Sequence, residues 1–174
     1  GTGAALVFVS GHATNLAILR TLIGKDDLVV VDALAHNSIY EGIRASGAAH
    51  VKMPHNDWSW VDEKMGEIRE EYRNVLIAIE GLYSMDGDAP DLNRFIDVKS
   101  RHDAWLLVDE AHSIGVLGKT GRGICEEQGV DPGRFERTPK AESVFSGALP
   151  QHEEDDEQRH EDAQHGSSVA GGRD

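Results

Sequence analysis

The sequence of 174 residues contains a single cysteine, Cys125. One cysteine excludes an internal disulfide and a zinc site built from several cysteines, and a reduced, cytoplasmic setting is then the default expectation. Long hydrophobic runs are also lacking, since no stretch approaches the roughly 20 apolar residues that cross a bilayer. The first fifteen residues carry no basic leader, so we expect neither a signal peptide nor a membrane segment.

Positive charge is scarce as well. Lysine and arginine total 17 against 31 aspartate and glutamate, which gives a formal net charge of -14. Nucleic-acid binding depends on basic side chains that neutralise phosphates, so this balance argues against a nucleic-acid partner. The hydrophobic fraction of 39% and the chain length suit one domain with a sizeable core.

Strand-like and helix-like blocks alternate from residue 10 to about residue 112. Short apolar runs rich in β-branched residues occupy 27–32, 48–53, 74–80 and 104–110. Segments with helical spacing of apolar residues lie between them, and Asp57 and Asp91 are suitable N-caps for two of these helices. The alternation predicts an α/β domain with a mainly parallel sheet flanked by helices and right-handed crossovers.

The pattern changes after Pro132. Residues 134–150 show no clear period, and residues 151–174 hold eight acidic residues against two arginines. Such a segment buries too little apolar surface to offset its ordering entropy. We therefore predict one domain over 1–133 and a divergent, disordered acidic tail over 134–174. Its histidines, and the rest of the chain, suggest no metal site.

The stretch LLVDEAHSIGVLGKTGRG, residues 106–123, contains two fragments that resemble nucleotide-hydrolase motifs. A phosphate loop has the form GxxxxGK[ST] between a strand and a helix. Here Ser113 stands where the first glycine is required, and the DEAH fragment precedes the GKT fragment instead of following it. The order and the missing glycine argue against a nucleotide hydrolase.

Polar residues instead follow the ends of several predicted strands. They are His36 and Asn37 after the first strand, Glu80, Ser84 and Asp86 after the third, and Asp109 and His112 after the fourth. Ligands of open α/β sheets bind outside the carboxyl ends of the strands. The segment VSGHATN adds a helix start with free backbone N–H groups, which favours an anion. Taken alone, Asp109 could equally cap a turn and His112 could be a structural histidine.

The whole set of groups suits an anionic, flat, heteroaromatic cofactor. Pyridoxal phosphate (PLP) needs N–H donors for its phosphate, a flat group stacked on its ring, and a carboxylate that keeps its pyridine nitrogen protonated. The predicted crevice supplies each of these.

Five segments in the same order closely resemble the α-oxoamine synthases, a family of PLP-dependent enzymes. The segments are SGHATN, HNSIYEG, HNDW, EGLYSMDGDAPDL and VDEAHSIGVLGKTGRG. The resemblance covers residues 1 to about 133. It implies part of the large domain of the aspartate-aminotransferase fold, fold type I of the PLP enzymes.

The resemblance also implies roles for six residues. Gly11 and His12 would contact the cofactor phosphate, and His36 would stack on the pyridine ring and help to place the substrate carboxylate. Asp109 would pair with the ring nitrogen. Two further residues, Ser84 and His112, would lie at the phenolic oxygen of the cofactor. His36, Asp109 and His112 are the expected catalytic residues.

Members of that family condense an amino acid with an acyl-CoA, with decarboxylation, and work as homodimers. This sequence departs from the family pattern at the Schiff-base lysine, which is not recognisable. Lys140 lies near the expected distance, but Pro139 is wrong for the motif. We therefore expect the chain alone to be inactive. Two alternatives stay open: an aminotransferase-like PLP enzyme, and a non-catalytic module whose acidic tail binds a basic partner.

Overall fold

The computed structural model of the chain describes residues 5–135 and the backbone of residues 144–146. The strands are β1 (Leu28–Asp32), β2 (Ala49–Met53), β3 (Val75–Glu80), β4 (Trp105–Asp109) and β5 (Val144–Ser146). The helices are α1 (Gly11–Leu22), α2 (Asn37–Ser46), α3 (Trp58–Ile68), α4 (Leu92–Arg101) and the short α5 (Ile124–Glu127). Single 3₁₀ turns follow at Arg69–Glu71 and Pro132–Arg134.

The five strands form one sheet in the order β2-β1-β3-β4-β5, and each neighbouring pair is parallel. A helix connects each of the first four strands to the next in sequence. The predicted α/β class with a mainly parallel sheet is thereby confirmed. The parallel arrangement brings the carboxyl ends of β1, β3 and β4 to one rim of the sheet.

Side chains of each strand alternate between two apolar layers. One layer joins Val30, Ile77 and Val108 to apolar residues of α3 and α4, and the other joins Val31, Ala78 and Leu107 to those of α1 and α2. All positions of β1 and β3 are buried because helices cover both faces. By the same alternation, Glu80 and Asp109 project towards α1 and α2, whereas Asp32 projects to the opposite face.

Local hydrogen bonds explain where the helices begin. The side chains of the predicted caps Asp57 and Asp91 accept the backbone N–H groups of Trp60 and Arg94. Ser10 caps α1 in the same way. Each cap satisfies a donor that the first turn of a helix otherwise leaves unpaired.

The predicted tail lies mostly outside the described residues. Inside the described part, Phe135 is buried in the layer under α3 and α4, and Val144–Ser146 pairs with Leu107–Asp109 as an edge strand. No periodic pattern of apolar residues predicted this three-residue strand. Disorder of the remaining tail stays a prediction. Over the described residues, no helix combines the length and the apolar character needed to cross a bilayer.

Candidate functional site

Three buried carboxylates lie at the carboxyl ends of β1, β3 and β4. The exposed fractions of Asp32, Glu80 and Asp109 are 0%, 2% and 5%. Glu80 and Asp109 are direct partners in the register of the β3–β4 pair. Buried acids are rare unless hydrogen bonds or charges compensate them, so their partners decide what this rim can do.

Asp109 is held through both oxygens of its carboxylate. One oxygen accepts the backbone N–H of Ala111 at 3.0 Å, and the other accepts the side-chain amide of Asn15 at 2.6 Å. Asn15 lies on α1 and is fully buried. The orientation of the Asp109 carboxylate is therefore set jointly by its own turn and by the helix above it.

The Asn15 amide also links Asp109 to His36. Its nitrogen lies 2.9 Å from the Ser38 hydroxyl oxygen, and that oxygen lies 2.7 Å from Nδ1 of His36. His36 is the N-cap of α2, and its Nδ1 accepts the backbone N–H of Ser38 at 3.2 Å. His36 itself is exposed. The structure thus joins two predicted site residues, Asp109 and His36, through two residues that the sequence analysis did not single out.

Glu80 connects the same rim to the start of α2, because its carboxylate accepts the backbone N–H of His36. Burial raises the pKa of Glu80 to about 7, and the nearby carboxylates of Asp109 and Asp32 act in the same direction. The hydrogen bond from the backbone N–H of His36 lowers the pKa of Glu80, but it offsets only part of this increase. Glu80 can therefore hold a proton near neutral pH within the rim.

Asp32 organises the other face of the rim through His55. Nδ1 of His55 lies 2.9 Å from one Asp32 oxygen, and the backbone N–H of Asn56 donates to the other at 2.8 Å. Nε2 of His55 lies 2.9 Å from Asp88. The His55 ring packs edge-on against Tyr83, with 4.5 Å between the ring centroids. The HNDW segment is therefore a brace between the loops that follow β2 and β3.

His55 and Asp88 also belong to a set of possible metal ligands, because single ligand atoms of His55, Asp86 and Asp88 lie within 4.8 Å of one another. His55 and Asp88 are already hydrogen-bonded to each other, so the set is explained without an ion.

The first turn of α1 faces the loop after β4. A Cβ atom placed on Gly11 would lie 3.8 Å from Cβ of Ala111. Nε2 of the His12 imidazole lies 2.8 Å from the Glu41 carboxylate, and the backbone N–H of His12 lies in the first turn of α1. The Ser10 hydroxyl accepts from Ala13 at 3.1 Å, and helix geometry gives the N–H groups of Gly11 and His12 no intrahelical partner.

The loops after β3 and β4 touch at Gly81. Its backbone N–H donates to the Asp109 carbonyl at 2.8 Å, and an added Cβ would lie 2.8 Å from the Ser113 hydroxyl. Only glycine allows this approach. The predicted residues Ser84 and His112 lie in these two adjacent turns, and both side chains are exposed. The structure thus places the six predicted residues along one rim, although it links only His36 and Asp109 through side-chain hydrogen bonds.

The GKTGRG segment has a structural role. The Glu126 carboxylate accepts the backbone N–H groups of Thr120 and Arg122, and Glu127 accepts that of Gly118. These donors are the ones that a phosphate loop would offer to a nucleotide. Because acidic side chains of this chain occupy them, the segment forms a closed turn.

An open parallel sheet with a helix start and buried polar groups at its carboxyl rim is the arrangement in which α/β proteins bind ligands. The family described as aminotransferase class I and II matches residues 2–134. The chain therefore belongs to the aminotransferase class I and II family.

Comparison with individual relatives identifies a smaller group within this family. The chain is 44% identical over 130 residues to 8-amino-7-oxononanoate synthase of Chlorobaculum parvum and 42% identical over 131 residues to serine palmitoyltransferase of Sphingomonas paucimobilis. Each alignment covers 75% of this chain, but only 33% and 31% of the respective relative. The predicted relationship to the α-oxoamine synthases is confirmed, and the chain spans about a third of the length of these relatives.

Solved structures agree. A serine palmitoyltransferase from S. paucimobilis with a bound PLP–myriocin aldimine matches with a TM-score of 0.70 at 42% identity, over 76% of this chain and 33% of that one. The 8-amino-7-oxononanoate synthase of Francisella tularensis matches with a TM-score of 0.58 at 35% identity, over 71% of this chain and 34% of that one. The fold is thus part of the PLP-enzyme fold of serine palmitoyltransferase.

Proposed function

We propose that this chain supplies the PLP-binding rim of an α-oxoamine synthase, a PLP-dependent acyltransferase that condenses an amino acid with an acyl-CoA with decarboxylation. The observation that carries the proposal is the buried Asp109 carboxylate, held by Asn15 and Ala111 at the end of β4. It lies beside a helix start that offers N–H groups to an anion. The relationship to serine palmitoyltransferase supports it.

The groups of the rim fit the cofactor chemically. Gly11 leaves open the approach to the first turn of α1, where its own N–H and that of His12 suit a phosphate. The exposed His36 ring offers a flat surface, and Asp109 offers a negative charge at the strand end. When bound, pyridoxal phosphate supplies an electron sink for cleavage of bonds at the α-carbon of an amino acid.

The residues of this chain would bind and orient. Asp109 would hold a proton on the ring nitrogen, because its carboxylate is the acceptor that such an N–H group needs. His36 would lie against the ring and place the substrate carboxylate, while Ser84 and His112 would donate to the phenolic oxygen. Glu80 fixes the position of His36 from below through its bond to the backbone N–H.

Amino acid and acyl-CoA are the proposed substrates, and the complete protein would act as a homodimer. The Schiff-base lysine has no recognisable counterpart in the chain, and Lys140 lies outside the described residues. We therefore propose that the 174-residue chain by itself holds the cofactor without a covalent bond and does not turn over.

Titration with pyridoxal phosphate, followed by the absorbance and fluorescence of the cofactor, tests the proposal. The unmodified chain should bind, and Asp109→Asn should weaken binding by about 10-fold to 100-fold, since a hydrogen bond to a charged group contributes about 1.5–3 kcal/mol. Asp97→Asn on α4 is a matched control, because Asp97 is paired with Arg134 away from the rim. Absence of binding by the unmodified chain would favour the non-catalytic module.

A further inference from the structure

We propose that Asn15 is a positioning residue that couples Asp109 to His36 through Ser38 and fixes the neutral His36 ring with its proton on Nε2. The proton assignment follows from the hydrogen bonds of this chain alone. Its meaning for a ligand rests on the proposed function of the rim.

The orientation of the Asn15 amide is determined by its neighbours. Its nitrogen lies 2.6 Å from the Asp109 carboxylate and 2.9 Å from the Ser38 oxygen. The flipped amide would place its oxygen against the Asp109 carboxylate, where no proton separates two acceptors. Both amide hydrogens are therefore committed, one to each neighbour.

The Ser38 hydroxyl hydrogen is then available to His36. It accepts a hydrogen from Asn15, so its single hydrogen is free to point at Nδ1 of His36, 2.7 Å away. The backbone N–H of Ser38 donates to the same Nδ1 atom at 3.2 Å. An atom that accepts two hydrogen bonds carries no proton, so the proton of the neutral ring lies on Nε2.

The remaining polar atom of the Asn15 amide is its oxygen. This oxygen is buried and has no hydrogen-bond partner among the described residues. A buried acceptor without a partner costs free energy. The side chain thus carries a cost for its oxygen while both N–H groups point at residues of the rim.

His36, the exposed residue of this network, therefore presents a fixed hydrogen-bond donor to a ligand. With Nδ1 turned to Ser38, the Nε2–H group is the hydrogen-bond donor that His36 presents, and it suits an anionic oxygen such as a substrate carboxylate. Asn15 does not reach this ligand itself. It acts through Ser38 on His36 and directly on Asp109, so one buried amide orients two predicted catalytic residues.

Nitrogen-15 NMR of the histidine rings in the 174-residue chain, without cofactor, tests the assignment. His36→Gln identifies the His36 signals among the nine histidines. When the ring is neutral, the unmodified chain should show a protonated Nε2 and an unprotonated Nδ1. Asn15→Asp should reverse the chain of donors, because one oxygen of the new carboxyl group shares a proton with Asp109 while the other accepts the Ser38 hydrogen, and Nδ1–H then donates to Ser38. We expect the Nδ1–H form to become the major one.

Ser38→Ala provides a second test. It decides the question in the case that the Asn15→Asp variant does not fold. Loss of the hydroxyl should shift the Nδ1 signal away from the unprotonated limit, whereas Ser46→Ala at the other end of α2 should leave it unchanged. A protonated Nδ1 in the unmodified chain, or an unmoved Nδ1 signal in folded Asn15→Asp or in Ser38→Ala, would overturn the proposal. These spectra contain no cofactor, so failure of pyridoxal phosphate to bind refutes the proposed function separately.

Discussion

The backbone N–H of His36 donates to the buried Glu80 carboxylate across 44 positions of the chain. The bond ties the start of α2 to the end of β3, and so fixes the imidazole at the rim relative to the sheet. Because the acceptor is an acid whose pKa burial raises to about 7, the tie also makes the stability of the rim depend on pH.

Glu80→Gln should remove a pH dependence of stability between about pH 4.5 and 7. In this window folded Glu80 keeps a proton that the unfolded chain releases, so the free energy of unfolding falls as pH rises. The full effect is about 3 kcal/mol. Urea unfolding at pH 5 and pH 7.5 should show a smaller loss for Glu80→Gln than for the unmodified chain, while the exposed Glu63→Gln should behave like the latter. The same change in the free energy of unfolding with pH for all three proteins would contradict the raised pKa of Glu80.

His55→Gln should destabilise the chain most at low pH. Burial lowers the pKa of His55, but its hydrogen bonds to Asp32 and Asp88 outweigh burial and raise it overall. The stabilisation by the charged ring is fully present below the unfolded pKa of about 6.5 and is lost as pH rises through the folded pKa. Chemical unfolding at pH 6 and pH 9 should therefore show a larger difference from the unmodified chain at pH 6. The exposed His50→Gln serves as the control.

The buried Asp27 and the exposed Arg73 form a bidentate pair of unequal importance. Asp27 also accepts from the backbone N–H groups of Gly24 and Asn74, whereas Arg73 is 62% exposed at its side chain. Asp27→Ala leaves half-buried backbone donors without their acceptor and should cost about 2–4 kcal/mol in the free energy of unfolding. Arg73→Ala should cost under about 1 kcal/mol, because water screens its charge. Equal losses in urea unfolding would show that the ion pair itself dominates.

Much of the fold follows from local patterns in the sequence. Strands β1, β3 and β4 are buried on both faces and appear as continuous apolar runs, while β2, an edge strand with mostly exposed side chains, gives only a weak signal. The caps at Asp57 and Asp91 were predictable because a cap and its helix are adjacent in sequence.

The hydrogen-bond network of the site was not predictable from local sequence patterns. Asn15 and Asp109 are separated by 94 positions, and only the sheet order brings α1 over the end of β4. Asn15 belongs to the SGHATN segment, so its chemistry was visible in the sequence, but its partner was not. Ser38 and Asp32 were missed for the same reason, because their partners Asn15 and His55 lie far from them in the sequence.

Asp57→Ala tests the cap of α3. The Asp57 side chain accepts from Trp60 at 2.9 Å and from the Ser59 hydroxyl at 2.6 Å, and these bonds lower its pKa. Loss of an N-cap costs about 1 kcal/mol in the free energy of unfolding. Asp57→Asn should retain most of the stabilisation, because asparagine is also a good N-cap. The difference between Asp57→Ala and the unmodified chain should be present at neutral pH and should fade as pH falls below 4, since protonation removes the stabilising charge. Thermal unfolding at pH 7 and pH 3 measures both effects.

Borohydride reduction decides whether any lysine of this chain bonds to the cofactor. A Schiff base between a lysine and pyridoxal phosphate is reduced to a stable adduct, whereas a cofactor held by the helix start and Asp109 alone washes away. We expect no adduct beyond scattered surface labelling, equal in the unmodified chain and in Lys140→Ala, and no condensation of amino acids with acyl-CoA. A stoichiometric adduct lost in Lys140→Ala would show instead that Lys140 reaches the rim. Strand β5 begins at Val144, four positions after Lys140, and its last residue, Ser146, pairs with Asp109.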